Sequence, residues 1–369
     1  MCDPMSLEVD VVEGGFAGAA GWWDRVVEAS ARPSPFASHA WLSRWWEVYG
    51  DGARLLLLRL RDGGAEVGGG AFYLRSRRLK GVLSVRELRL VGDQHVGSEG
   101  LDLLVADRAL EAEAAAALGR FLTSSERRWD VAHLQGLRPG AVLLRPEALG
   151  DDAEASVRKV NRCPYLTLPK DKPVAALKKD FASRVARKSR GLIDRGGMRF
   201  ARCTSEGEIE TLLDALFANH QARWQAKGEK GAFAAGAKRD FYRRVSPDML
   251  RAGRLELFGL WEGDRPRAVL FGGSAGKTLY YLQSAFDADL APHGPGNVLM
   301  FQILRHAQER GFDRFDFMKG DEAYKFQWTT EEEPLLLRRT AGRGWRGRLA
   351  GATLALSGRL KPRKAPKGA

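Results

Sequence analysis

Residues 311–328 read GFDRFDFMKGDEAYKFQW, and Asp321, Glu322, Tyr324 and Lys325 in it gather two carboxylates, a phenol and an amine into five positions. Such a set can take up a proton, hand one over and hold an opposite charge. The stretch before it, 312–318, alternates with period two and predicts a strand, with Phe315 and Phe317 facing a core and Arg314, Asp316 and Met318 facing away. Gly320 ends that strand, and Asp321 is placed to N-cap a short helical turn carrying Glu322, Tyr324, Lys325 and Trp328. Polar chemistry in a loop fixed by a strand reads as a site. The same spacing also has a purely structural reading. Asp321 and Lys325 are an i, i+4 pair with the acid first, which supports a helix by about 0.2 to 0.5 kcal/mol, and Tyr324 and Trp328 pack at the same interval.

A second candidate is Pro292-His293-Gly294-Pro295-Gly296-Asn297, between a predicted strand at 278–285 and an apolar helix at 298–310. A glycine-rich turn opening a helix leaves N–H groups aimed at one spot, and the helix dipole favours an anion there. Upstream, 174–193 predicts a helix with Val174, Leu177, Phe181, Val185 and Leu192 on one stripe and Lys178, Lys179, Arg184, Arg187, Lys188 and Arg190 on the other. A basic face of this kind is a solvated surface or a dock for a phosphate-bearing acceptor such as a nucleotide sugar, polysaccharide or tRNA. Ser205 and Glu208 form a capping box for a following helix, whose apolar stripe includes His220 and Trp224. His220 on that stripe reads as packed rather than as a base; Arg223 and Trp224 line a cleft or cap the core, and Asp316 is a site residue or a buried hydrogen-bond partner.

The elements that must position these residues alternate between strand and helix along the chain, which indicates an α/β or α+β fold. Residues 54–63 and 254–263 resemble each other at an offset of two hundred positions, each followed by a glycine-rich strand and each preceded by a helix ending in Arg-Trp (Arg44-Trp45, Arg223-Trp224). Two lobes on one plan account for this. With 369 residues, two domains are expected: a lobe at 1–150, a Pro-rich connector at 151–173, a second lobe at 174–337 and a basic tail at 338–369. In the first lobe Gly92-Asp93 takes the place of the glycine-rich turn but no such helix start follows, so that lobe is expected to be non-catalytic. The net charge of +13 is mostly the tail: ten Lys/Arg and no acid lie in 338–369, and the rest carries only +3. Such a tail is a solvated end or a contact for an anionic membrane surface or nucleic acid. Three cysteines without metal spacing, scattered histidines and no apolar run of spanning length argue for a cytoplasmic protein, at most peripheral at the inner membrane, with no transmembrane segment and no metal.

The loop Gly294-Pro-Gly296-Asn297 with its helix, followed by Phe315-Asp-Phe-Met-Lys-Gly-Asp-Glu-Ala-Tyr-Lys-Phe-Gln-Trp328, resembles the C-terminal signature of the CelD/BcsL-type acetyltransferases, a GNAT-superfamily branch related to the Fem peptidyltransferases. The resemblance spans roughly 174–330 and includes the basic helix and His220-Gln-Ala-Arg223-Trp224. It implies two tandem GNAT-like lobes, each a mixed sheet flanked by helices, acetyl-CoA or another acyl-CoA as donor, and a link to exopolysaccharide biosynthesis. On that reading an amine attacks the thioester directly. Gly294, Gly296, Asn297 and Val298 contact the pyrophosphate, Glu322 or Asp321 takes the amine proton, Tyr324 protonates the thiolate, and Lys325 binds an anionic acceptor group or a CoA phosphate. The loop departs from the usual GNAT pattern, since the leading Gln/Arg is missing and Pro295 removes an N–H. Aminoacyl transfer from tRNA, as in Fem proteins, and a non-catalytic scaffold are the alternatives.

Overall fold

The computed structural model describes residues 7–79, 83–124, 129–150, 156–171 and 179–359. From the N-terminus come β1 (Glu8–Val11), α1 (Phe16–Ala19), α2 (Trp23–Ala29), α3 (His39–Tyr49), β2 (Arg54–Asp62), β3 (Ala65–Leu79), β4 (Leu83–Leu90), β5 (Leu104–Val105), α4 (Glu111–Thr123) and β6 (Val131–Leu137). There follow β7 (Ser156–Thr167), α5 (Lys179–Arg190), β8 (Arg199–Arg202), α6 (Glu206–Gln225), α7 (Gly236–Arg251), β9 (Leu255–Glu262), β10 (Arg265–Ala275), β11 (Thr278–Phe286), α8 (Pro295–Glu309), β12 (Arg314–Asp316), β13 (Glu332–Ala341) and α9 (Trp345–Arg359). The chain divides into two compact units, one of Met1–Asn161 with Pro334–Ala369 and one of Arg162–Glu333.

The first unit is a mixed sheet in the order β1-β2-β3-β4-β6-β13, with β5 beside β3; β4 and β6 are parallel and the other pairs antiparallel. Its core holds Trp23, Trp41 and Trp45, all nearly inaccessible. Gly69 on β3 lets α2 approach, because a Cβ there would lie 3.0 Å from both Trp22 and Trp23. The segment expected to open a basic tail begins instead inside β13: Arg338 is buried and donates to the carbonyls of Leu143, Arg145 and Pro146, and Arg339 donates to His133. Buried Leu335 and Leu337, just before the arginines, pull the segment into the sheet, and α9 follows. Residues 360–369 lie outside the described residues.

The second unit is also a mixed sheet, β7-β12-β11-β10-β9-β8, antiparallel except for β11 and β12, which run parallel and are joined by α8. Strand alternation sends Phe258, Leu260, Leu270 and Leu279 to one face, where they pack with Phe181 and Val185 of α5 and Val298, Ile303 and Leu304 of α8. The neighbouring residues turn to the other face, where Gly259 abuts Leu212 of α6 and Phe271 packs on Tyr242 of α7 at 4.7 Å between rings. Two helices therefore cover each face. The hairpin repeat is a repeat of fold: β2 pairs with β3 from Asp62 to Ala65, and β9 with β10 from Glu262 to Arg265. Directly before β9, however, stands α7 rather than the Arg223-Trp224 helix. Its stripe of Phe241, Tyr242, Val245 and Met249 lies among charges and around Pro247, which obscured it in the sequence.

Other boundaries shift for physical reasons. The strand expected over 312–318 pairs only at Arg314–Asp316, because Met318 turns into the left-handed region at φ 59. The helix expected from 174 is described from Lys179, and its final turn, Gly191–Arg195, widens to a π-helix; residues 172–178, Lys178 among them, lie outside the described residues. The Ser205 side chain makes no cap hydrogen bond, and the Glu208 carboxylate reaches past it to accept from the Thr204 N–H at 3.0 Å.

Candidate active site

Because β11 and β12 are parallel neighbours, the turn that opens α8 and the turn after β12 both lie at the carboxyl ends of these strands, the end where open α/β sheets hold ligands. The two strands pair only from Thr278–Arg314 to Tyr280–Asp316. β11 then continues to Phe286 along β10 alone, so past Tyr280 the sheet opens between them.

The opening is lined by tyrosines. Tyr324 Oη donates to Tyr281 Oη at 3.1 Å, and Tyr281 Oη lies 2.6 Å from Ser284 Oγ. Burial, the neighbouring phenol and the charge of Glu322 push the Tyr324 hydroxyl far above its ordinary value, so it stays protonated, while Arg223 pulls weakly the other way. Tyr281 is raised chiefly by burial and feels the same two charges. Arg223, near the end of α6, thus belongs to the cluster with Glu322, Tyr324 and Tyr281. Its exposed guanidinium has no ion-pair partner among the described residues.

The loop carrying Tyr324 is held from inside. Asp316 is buried, accepts the Met318 N–H at 2.8 Å and pairs with Arg314 at 3.0 Å, so it stabilises the left-handed Met318 rather than lining the opening. Lys325 is buried too: its ammonium donates to the Lys319 carbonyl at 2.7 Å, lies 3.4 Å from the Met318 carbonyl and pairs with Glu322 at 3.0 Å. These three acceptors use its three donors, and the residue expected to hold an external anion spends its charge on the loop. At Gly320, φ is +134, and a Cβ would run into the Glu322–Lys325 pair. Asp321 is exposed and is not an N-cap; the short 3-10 turn Lys325–Gln327 is entered from Tyr324. The i, i+4 pairing anticipated for Asp321 and Lys325 is replaced by Glu322 at i, i+3.

At the start of α8, Gly294 adopts φ 65 and its carbonyl accepts from the N–H groups of both Asn297 and Val298 at 3.1 Å. The Gly294 N–H donates in turn to the Ala291 carbonyl at 3.0 Å, so three of the four expected pyrophosphate donors are turned inward, Pro295 has none, and Gly296 is left to meet an anion. Lys188 of the basic face of α5 adds a charge there, with its Nζ 2.9 Å from the Pro292 carbonyl oxygen. The connection is braced by Arg267, buried on β10, which pairs with Asp287 at 2.6 Å and Asp289 at 2.5 Å.

His220 is buried against Phe233 at 5.0 Å between rings and accepts from Trp224 Nε1 at 3.1 Å through Nε2. Burial, then the charges of Lys238 and Arg223, lower its pKa to about 4. It is neutral near pH 7, and its Nε2 lone pair is occupied. Tyr281, Ser284 and Lys238 have no role in the sequence reading, and Lys188 enters it only as part of the basic face. Tyr281 sits in an ordinary strand pattern, and only the fold shows what it meets. In the first unit the corresponding turn is filled: Asp93 is buried, accepts from Arg89 at 2.7 Å and from Tyr73 at 3.2 Å, and its pKa is raised by burial to about 6.

Residues 179–326 match the family model described as an acetyltransferase (GNAT) domain. No curated protein matches the chain in sequence. Among solved structures the chain is similar to FemX, with 11% identity, a TM-score of 0.60 and coverage of 86% of this chain and 94% of that one. It is also similar to the C-terminal domain of a putative lysylphosphatidylglycerol synthetase from Agrobacterium fabrum, with 15% identity, a TM-score of 0.57 and coverage of 93% and 95%. L-PGS from Bacillus licheniformis resembles it at 13% identity and a TM-score of 0.51, covering 90% of this chain and 97% of that one. The fold is therefore that of the GNAT acyltransferases, and the second unit carries the matched domain. Among the described residues no helix is long and apolar enough to cross a membrane, and no group of three metal-ligating side chains converges.

Proposed function

We propose that this chain is an acyl-CoA-dependent N-acyltransferase, of the CelD/BcsL-type branch, that moves an acyl group, acetyl in the simplest case, to an amine of a sugar, polysaccharide precursor or similar metabolite in the cytoplasm. The observation that carries this reading is the parting of β11 from β12 beside the Tyr324–Tyr281–Ser284 chain, with the start of α8 at the same end. A thioester laid in the opening would present its carbonyl to the amine and its sulfur to Tyr324, with the pyrophosphate near Gly296 and Lys188.

The amine loses one proton to Glu322 or Asp321, or to water they order, and its nitrogen attacks the thioester carbon. As the C–S bond breaks, the thiolate takes the Tyr324 proton, and the second amine proton replaces it by way of the Ser284–Tyr281 hydroxyl chain, whose hydrogen bonds reverse in the step. Burial keeps the phenol protonated, so it passes a proton to the sulfur only as another arrives and no free phenolate forms. The expected result is protection from heat: acetyl-CoA at about a hundred times its Kd stabilises by about 2.7 kcal/mol, a rise of roughly 5–10 °C in Tm for a unit of this size.

A second donor, aminoacyl-tRNA, is favoured by one observation, the exposed Arg184, Arg187, Lys188 and Arg190 of α5. It predicts tRNA binding that weakens steeply with salt and no response to acetyl-CoA. No shift at saturating acetyl-CoA overturns the first reading.

A further inference from the structure

On the α6–α7 face of the sheet, away from α5 and α8, Lys238 near the start of α7 lies over two aromatic rings, with its Nζ 5.1 Å from the Phe233 centroid and 6.0 Å from that of Tyr242. The side chain is half-buried and has no carboxylate partner among the described residues. A cation drawn out of water onto aromatic faces gains from the ring quadrupoles, but they do not replace a counter-ion. The same Phe233 ring packs on His220, whose Nε2 accepts from Trp224. The neutral imidazole must then carry its proton on Nδ1, and Nδ1 is buried with no partner among the described residues. An unpaired cation and an unpaired buried donor share one aromatic wall.

The surrounding charges close a ring around this place. Lys238 and Arg223 act on His220, Arg223 acts on Tyr324, and the backbone of Lys319, whose charge reaches Lys238, anchors Lys325 and through it the Glu322 loop. Burial and Lys319 together pull the Lys238 ammonium down to about 8, the response of a cation with no anion beside it. Glu322 is already paired with Lys325.

We propose that Lys238, with Arg223 and Lys319, holds an oxyanion carried by the amine acceptor, a phosphate or a carboxylate, and so selects acidic amines over neutral ones. The assignment to the acceptor rests on the acyltransfer reading above and on the sheet: the Lys188–Gly296 end of α8 belongs to the opposite face, which leaves the cations of this face to the second substrate. Lys238 touches the anion and not the reacting atoms.

The test is amine footprinting of the intact protein. Acetic anhydride labels Lys238 readily at pH 8, and its labelling is compared with that of Lys227 and Lys277 in the presence of inorganic phosphate, succinate or acetyl-CoA. Protection of Lys238 alone, about fivefold or more, by phosphate or by succinate is expected and tells which oxyanion the site prefers. Protection by neither overturns the site. Protection by acetyl-CoA at micromolar levels overturns its assignment to the acceptor. No transfer is needed for this readout, so it can stand if acetyl-CoA proves not to be the donor. Lys238→Gln is expected to raise KM at least tenfold for an amino sugar phosphate while leaving the unphosphorylated amino sugar and kcat within about twofold; an equal effect on both acceptors contradicts the proposal.

Discussion

Tyr324→Phe is expected to lower kcat by about a hundredfold while leaving the acetyl-CoA thermal shift within about a degree of the native protein's. The substitution keeps the ring that packs against the α5–α8 core and removes only the hydroxyl that donates to Tyr281 at 3.1 Å. A positioned acid contributes about 10²- to 10⁴-fold to such a step. The lower end applies because burial and Glu322 make this phenol a weak acid. Steady-state rates of thiol release with an acceptor amine, alongside melting curves with and without acetyl-CoA, separate chemistry from binding. Unchanged kcat would remove Tyr324 from the mechanism, and a lost shift would make it a binding residue.

The largest effect on stability is expected at Glu256, far from the opening. Its carboxylate is fully buried on β9 and receives Arg202 Nε at 2.8 Å, Arg310 Nη1 at 2.9 Å and Ser274 Oγ at 2.9 Å, tying β8, β10 and the end of α8 to one residue. Glu256→Ala strips two arginines of their shared anion. Breaking a buried pair costs about 3 to 5 kcal/mol, and the partial exposure of Arg310 argues for the lower figure. In a unit of this size about 3 kcal/mol lowers Tm by roughly 6–12 °C. Arg310 follows the C-terminal end of α8, about 20 Å along the helix from Gly296, so acetyl-CoA affinity is expected to persist below the transition. Urea or thermal melts check the first part and titration at low temperature the second; a loss under 1 kcal/mol would contradict the network's importance.

What the sequence disclosed and what it withheld follow from the range of the interactions. The paired hairpins, α8 and the Phe315–Phe317 core contact are written in local periodicity, and glycines marked both turns, because left-handed φ at Gly294 and the crowded Gly320 exclude a side chain. The roles inside the turn were harder to read. Asp321 has the sequence position of a cap and Lys325 the chemistry of a ligand, yet Lys325 satisfies carbonyls beside the left-handed Met318. Tyr281, Arg223 and Lys238 lie on three different elements, and nothing in their local pattern announces that they face Tyr324 or one another. The basic C-terminal stretch misled for a related reason: Arg338 counts as charge in a composition, whereas in the fold three backbone carbonyls absorb it.

The central claim is that the start of α8 and the loop after β12 serve one ligand. Hydrogen exchange with and without acetyl-CoA tests it directly. Slower exchange in both the peptide covering 292–298 and the peptide covering 319–328 is the result this account predicts. Protection of one segment alone, or of neither at saturating ligand, would show that they do not form a common donor site.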